Sequence, residues 1–459
     1  MLSYIKLKNF KSFSNIMFDL RGKGGIPKRV AFIYGENGAG KSNLMSSLLF
    51  LRKTIGSIKD QARMKEFIDG FLSETDEKEI SPRLRNDFLD HVIKSQLFDM
   101  EDLIEEYKTL TSEGTLDIEV GFFLDGAEGA YIVSFDATKV IYEELRYKIN
   151  ERTGTIFELT EDDSKLSPSI FFDSAYQREL KEHIEKYWGK HTFMSILDNE
   201  TFTKNRRFIE SRIHKNMLDV LVWFQSYSVL CKQTLSETGA FAVPFHVLSK
   251  LEKGIVKTRN DKELIAFKNV LNEFFTSLYP DVKEVYYKFE PKEHEFRYTL
   301  YFKKLLNGKI LDIPFEFEST GTQKLLSIFP FIFSSLSGAP VFIDEIDGGI
   351  HDLLMCEIVE LLVEALDSSP HGQLIATTHN TLLMERLKNE NVYILSSDVE
   401  GNKNIISIDK YDVRTQKSHS VQSRYLNGRY DGVPNIGYLD LSEMVADVFS
   451  YIEKNESTL

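Results

Sequence analysis

The sequence predicts an α/β fold: a mixed sheet around a phosphate-loop core, an added antiparallel β layer, and a helical insertion between two lobes. Three observations predict it. A short apolar run, Val30-Ala-Phe-Ile-Tyr34, leads into Gly35-Glu-Asn-Gly-Ala-Gly40-Lys41-Ser42 and then an apolar helical stretch, Ser42 to Leu51. A second apolar run, Val341-Phe-Ile343, ends in two adjacent carboxylates, Asp344 and Glu345. Turn signals at Asp125-Gly-Ala-Glu-Gly129 and at Asn307-Gly308 lie between alternating strands and mark antiparallel hairpins.

The first element is a strand, a glycine loop and a helix in the order that a triphosphate site needs. Its glycines let backbone N–H groups close around the β- and γ-phosphates, Lys41 supplies a point charge, and the Ser42 hydroxyl can ligate Mg²⁺. The candidate nucleotide-binding residues are therefore Gly35, Glu36, Asn37, Gly38, Ala39, Gly40, Lys41, Ser42 and Asn43. The helix after the loop aims its positive dipole end at the same phosphates.

The second strand delivers Asp344 and Glu345 at its C-terminal edge, where ligands of open α/β sheets bind. Asp344 can hold Mg²⁺, and Glu345 can orient and deprotonate an attacking water. After an intervening helical pattern, Leu353 to Leu366, comes another strand, Gln373 to Thr378, which ends in His379; a histidine there can report on the γ-phosphate. Just before the acidic strand, Ser319 and Thr320 read as N-cap residues of a buried helix, with Gly321 and Thr322 following. A helix N-terminus with a serine and a close-approach glycine is a second anion cradle. One chain needs only one for its own nucleotide, so the economical expectation is that this second cradle closes over nucleotide held by another subunit.

Composition bounds the rest. At 459 residues and 42% apolar content the chain can bury two or three structural units. No basic start, apolar middle and cleavage site precede the first strand, and Cys231 and Cys356 are too far apart for a metal or disulfide pattern, so a reducing cytoplasm is expected. The run from Leu325 to Ile343 carries no charge, but Pro330, Gly338 and Pro340 break it, and no membrane span is expected. The net charge of −14 disfavours coating of nucleic acid by the whole surface. The densest basic cluster, Lys204, Arg206, Arg207, Arg212 and Lys215, reads as a solvated helix face, with a local nucleic-acid groove as the alternative.

With these elements in this order, the chain resembles the ABC-type ATPases of the SMC, RecF and OLD branch. The opening Ile5-Lys-Leu-Lys-Asn-Phe-Lys-Ser-Phe13 is similar to that branch's first strand, and Ser319-x-Gly321-Thr322 looks like its signature. The resemblance implies a head-to-head homodimer with two sandwiched ATPs: Ser319, Gly321 and Thr322 would meet the partner's γ-phosphate, Glu345 and His379 would be catalytic, and Asp347 would lie in the loop linking the sites. ATP and Mg²⁺ (on Ser42 and Asp344) are the implied cofactors. Arg424-Tyr-Leu-Asn-Gly-Arg-Tyr430, followed by Val433-Pro-Asn-Ile436, is similar to the tail of stand-alone phage-defence ATPases, the group that includes AbiLi, RloA and the AriA subunit of PARIS. That resemblance implies a sensor or scaffold for a separately encoded effector such as a nuclease, a phage trigger, and possible higher rings. A RecF-like DNA clamp and an OLD-like ATPase with its own nuclease are the alternatives; the acidic charge weighs against the first. The 80 residues after His379 are tight for an appended nuclease, and Asp398-Val-Glu400 reads as a turn. The glutamine that ABC ATPases place between their lobes has no assignment; Gln61, Gln96 and Gln177 do not follow a strand in the right place.

The expected organisation is 1–55 for the first lobe of the head, 56–112 for an acidic helical insertion and 113–160 for antiparallel strands. Residues 161–280 are expected as a helical insertion or short coiled coil, 281–410 as the second lobe, and 411–459 as a tail for packing or partner contact. Two antiparallel arms drawn from about 100 residues would reach no more than roughly 75 Å, which excludes chromosome-spanning coils.

Overall fold

The computed structural model describes residues 1–74, 99–150, 152–231, 251–259, 261–369, 371–411, 420–433, 440–446 and 449. At its centre is a six-stranded sheet in the order Lys403–Ser407, Val392–Ser397, Val30–Tyr34, Gln373–Thr377, Pro340–Ile343, Ser228–Leu230. All neighbours are parallel except the first pair. Both faces of this sheet are covered, which is why its strands read as unbroken apolar runs. Val30, Phe32 and Tyr34 point into one core with Val341, Ile343 and Leu374, while Ala31 and Ile33 point into the other with Phe342 and Ile375.

On the second of these faces lies a seven-stranded antiparallel sheet, ordered Phe13–Asp19, Leu2–Phe10, Leu116–Leu124, Ala127–Phe135, Val140–Ile149, Arg152–Thr160, Ser164–Leu166. The long helix Lys41–Glu74 runs from the phosphate loop into the core between the two sheets and carries on past residue 55, so the expected acidic insertion begins as the same helix. Gln373 ties the layers: its side chain accepts from the Leu2 N–H at 2.7 Å and donates to the Leu2 and Lys28 carbonyls at 2.9 and 2.8 Å. The turn between Leu116–Leu124 and Ala127–Phe135 is shorter than expected, two residues with Asp125 at φ 47° and Gly126 at φ 76°, the conformation that matches strand twist in tight hairpins.

The other face packs against the helices Lys262–Leu278, Thr320–Leu336 and Asp352–Ser368 and a four-stranded antiparallel sheet of Lys253–Val256, Val282–Lys292, Glu295–Leu306 and Lys309–Pro314. Asn307 and Gly308, at φ 50° and 76°, form the expected tight turn. The uncharged run from Leu325 to Ile343 is a buried helix, a turn and a buried strand, and among the described residues no helix is long and apolar enough to cross a membrane.

Residues 161–280 depart from a helical arm. The helices Ser174–Tyr187, Phe193–Thr203, Arg206–Glu210 and Lys215–Ser226 lie on the antiparallel sheet and share its core. Tyr176, Leu180 and Ile184, four residues apart, are the buried stripe of the first, which Asp173 caps at the Ala175 and Tyr176 N–H groups. The same stretch also contributes Ser228–Leu230 to the central sheet and Lys253–Val256 to the smaller one. Strands of three and four residues are too short to show a period, and the helical pattern around them hides them. Most of the basic cluster pairs internally: Lys204 with Glu179 and Glu200, Arg206 with Glu210, Arg212 with Asp173, Lys215 with Asp219.

Candidate nucleotide site

The strand Val30–Tyr34 hands the chain to the loop between two parallel neighbours, so the loop opens at the carboxyl edge of the sheet. Gly35 presses against the adjacent strand: a Cβ there would lie 2.3 Å from the Leu395 carbonyl oxygen. Gly40, at φ 112°, leaves no room either, since a Cβ would come within 2.9 Å of the Phe13 ring and of Ser12 Oγ. Between them the Ala39 N–H bonds the Glu36 carbonyl at 3.2 Å, Ala39 is buried, and Asn37 and Gly38 are exposed at the tip.

Lys41 Nζ donates to the Gly35 carbonyl at 2.7 Å and the Glu36 carbonyl at 3.1 Å. Burial lowers its pKa, and the charges of Asp344, Glu345, Asp347 and Glu36 oppose that shift. The lysine thus faces the acids of the distant strand. Ser42 is half-buried, and its carbonyl accepts the Cys231 thiol at 3.6 Å. Burial, with Asp344 adding, pushes that thiol up to about 12, so Cys231 stays neutral beside the site. Asn43 Nδ2 donates to Ser12 Oγ at 2.7 Å, tying the loop helix to the turn of the first hairpin.

Asp344 and Glu345 follow the buried strand Pro340–Ile343. Thr377, on the parallel strand alongside, holds both: its hydroxyl donates to Asp344 Oδ1 at 2.6 Å and accepts from the Glu345 N–H at 2.8 Å. Asp344 is 2% exposed, yet its Oδ2 is buried without a hydrogen-bond partner among the described residues. A buried, unmatched carboxylate oxygen is costly alone and fits a cation. Mg²⁺ needs only one or two protein carboxylates, because it keeps waters and phosphate oxygens as its other ligands. Asp344 and the Ser42 hydroxyl are the residues that would hold it. Glu345 has φ 48°, a left-handed conformation that costs about 1–3 kcal/mol for a non-glycine residue.

Asp347 lies in the turn after Glu345, where its Oδ2 accepts the His379 N–H at 3.1 Å and its Oδ1 is buried without a partner among the described residues. The strand ends at Thr377, so His379 stands two residues beyond its tip with its side chain exposed. Ser319 caps the helix Thr320–Leu336, its hydroxyl accepting from the Thr322 N–H at 3.2 Å and lying 2.9 Å from Thr322 Oγ1. Ser319 is exposed, and Gly321 packs on the turn after Asp347: a Cβ there would lie 2.7 Å from the Gly349 carbonyl. The paired acids, Asp347 and His379 are thus brought together, and the Ser319 cradle opens outward beside them.

Sequence reasoning missed Thr377 and Ser12. Threonine is an ordinary strand residue, and only the parallel register of Ile343 with Ala376 puts its hydroxyl between the acids. It also missed Ser228–Leu230 beside the acidic strand, where the Asp344 N–H donates to the Leu230 carbonyl at 2.8 Å. From that strand the chain runs through Cys231 toward Gln233, a glutamine outside the described residues.

Residues 30–385 match the family described as "AAA domain, putative AbiEii toxin, Type IV TA system". A protein of Helicobacter pylori (strain ATCC 700392 / 26695), named ATP/GTP phosphatase, is 21% identical over 397 residues, spanning 84% of this chain and 87% of its own. Among solved structures, an SMC head bound to the C-winged helix domain of ScpA covers 88% of this chain and 96% of its own, at 14% identity and TM-score 0.40. The SMC head domain from Thermotoga maritima covers 89% and 98%, at 15% identity and TM-score 0.35. With well over half its length in the family match, the chain belongs to this AAA-domain family and is an ATPase.

Proposed function

We propose that the chain binds and hydrolyses ATP with Mg²⁺ at this site, that two chains close head to head over two ATPs, and that this closure controls a separately encoded effector of an anti-phage defence system. The observation that carries the catalytic part is the Thr377 hydroxyl holding both Asp344 and Glu345. The Glu345 backbone, held in a strained conformation, sets the carboxylate to orient a water and take its proton as the water oxygen attacks the γ-phosphorus. The bond from that phosphorus to the bridging oxygen breaks, and ADP leaves. Lys41 exchanges the Gly35 and Glu36 carbonyls for phosphate oxygens. Bound Mg²⁺ supplies charge neutralisation on the β- and γ-phosphates. A relative named as an ATP/GTP phosphatase over nearly its full length supports hydrolysis.

The exposed Ser319 cradle supports the dimer: it turns a ready anion-binding helix end outward while its own chain already has a phosphate loop. The family description, with its AbiEii toxin, supports the defence role. Internal pairing of most of the basic cluster weighs against a DNA clamp. The test is phage plating on cells that carry the gene with its neighbours. Protection lost in Lys41→Ala and on deletion of an adjacent effector gene supports the reading, and full protection with Lys41→Ala refutes it.

A further inference from the structure

The segment Ser420–Val433 touches both ends of the nucleotide site. Its short helix, Val421–Leu426, is anchored on one side to the stretch just after His379: Ser420 Oγ donates to Glu385 Oε1 at 2.6 Å, and the Gln422 N–H donates to the same oxygen at 2.8 Å. Gln422 Nε2 also donates to Thr381 Oγ1 at 2.8 Å. On the other side, the Tyr425 ring meets Tyr34 edge-on at 5.9 Å, and its hydroxyl donates to the Gly432 carbonyl at 3.0 Å. Gly432, at φ 67°, lies so close that a Cβ would stand 2.6 Å from Ile394 Cγ2 and 3.5 Å from Gly35 Cα.

We infer that Tyr425 is a positioning residue for the phosphate loop, and that Ser420–Val433 is a strap linking that loop to the His379 turn. The strap meets the loop at the Gly35 peptide. Its carbonyl is held by Lys41, and its Cα is backed by Gly432, whose own carbonyl the Tyr425 hydroxyl holds. A triphosphate competes with the Gly35 carbonyl for the Lys41 ammonium, so once Lys41 turns to phosphate, Gly432, fixed by the Tyr425 hydroxyl, keeps this first loop peptide in register. The strap's second anchor, through Gln422 and Thr381, makes the same segment sense the turn that carries His379. By linkage, anything that ATP gains from the strap, the strap gains from ATP.

This inference rests on the ATP reading above, and its test separates the two. Mg-ATP affinity and turnover are measured for the full chain, for Tyr425→Phe, and for Tyr430→Phe, which removes a hydroxyl from the same segment where its ring packs on Tyr411. Loss of the buried hydroxyl that holds Gly432 against the loop is expected to weaken ATP binding about tenfold in Tyr425→Phe, raising KM while kcat stays within about twofold, with Tyr430→Phe close to wild type. In the wild-type chain, ATP is expected to slow amide exchange across 420–433. A folded Tyr425→Phe that binds ATP like wild type overturns the inference. Should that variant not fold, wild-type exchange in 420–433 that ignores ATP overturns it equally. A wild-type chain that binds no ATP refutes the nucleotide reading and this inference together.

Discussion

The Thr377 hydroxyl donates to Asp344 Oδ1 at 2.6 Å, across two parallel strands whose register puts Ile343 opposite Ala376. Because the same oxygen accepts the Glu345 N–H, one side chain fixes the orientation of one acid and the backbone of the next. Thr377→Val keeps the shape and removes both bonds. It is expected to lower kcat on the order of tenfold to a hundredfold and to raise the Mg²⁺ concentration needed for half-maximal rate, with ATP affinity affected less. Steady-state kinetics with Mg²⁺ titration check this, and an unchanged Mg²⁺ requirement counts against Asp344 as the metal residue.

Glu345→Gln keeps the side-chain volume and removes the carboxylate proposed as the base. Hydrolysis is expected to fall at least about a hundredfold while ATP still binds, so the variant should accumulate as an ATP-bound closed dimer. Sedimentation with and without Mg-ATP reads this directly. A variant that hydrolyses at the wild-type rate would show that the base is another residue.

Glu143 gives a prediction about stability. Its buried carboxylate accepts from the Phe193 and Met194 N–H groups at 2.6 and 3.1 Å, from Trp188 Nε1 at 2.9 Å and from the Tyr131 hydroxyl at 2.9 Å. Burial outweighs these donors and pushes its pKa from an ordinary 4.5 up to about 6. The folded chain therefore holds this proton more tightly than the unfolded one. The resulting stabilisation is full below about 4.5 and is lost as pH rises through about 6, on the order of 2 kcal/mol. Glu143→Gln, which puts an amide donor among four donors, should be less stable by about 1–3 kcal/mol. The gap between the two proteins should narrow as pH rises over that window, as thermal unfolding at several pH values will show.

Much of this molecule is legible in its sequence because burial writes a pattern. The strands at Val30, Val341 and Gln373 are covered on both faces and so appear as apolar runs, and the Ser319 cap announces its helix through residue type alone. The glycines at 35 and 40 are legible for a different reason, since a side chain at either would collide with Leu395 or Phe13. What is not legible depends on register across distant segments. Thr377 is one β-branched residue in a strand until the neighbouring strand aligns, Ser228–Leu230 is too short to carry a period, and Tyr425 lies 391 residues beyond the Tyr34 its ring packs on. The strands hidden within 161–280 are the cost of reading helical spacing as a continuous insertion.

In the proposed dimer each ATP is shared, held by the phosphate loop of one chain and by the Ser319 cradle of another. Complementation tests it most directly. Lys41→Ala and Ser319→Arg chains are each expected to be inactive alone, and ATP hydrolysis is then measured after the two are mixed and allowed to exchange. Random pairing in a symmetric dimer leaves one intact composite site in each mixed pair, so about a quarter of wild-type activity should return. A mixture as inactive as its two components, with exchange of subunits verified, would contradict the shared site and with it the account of ATP as the joint between chains.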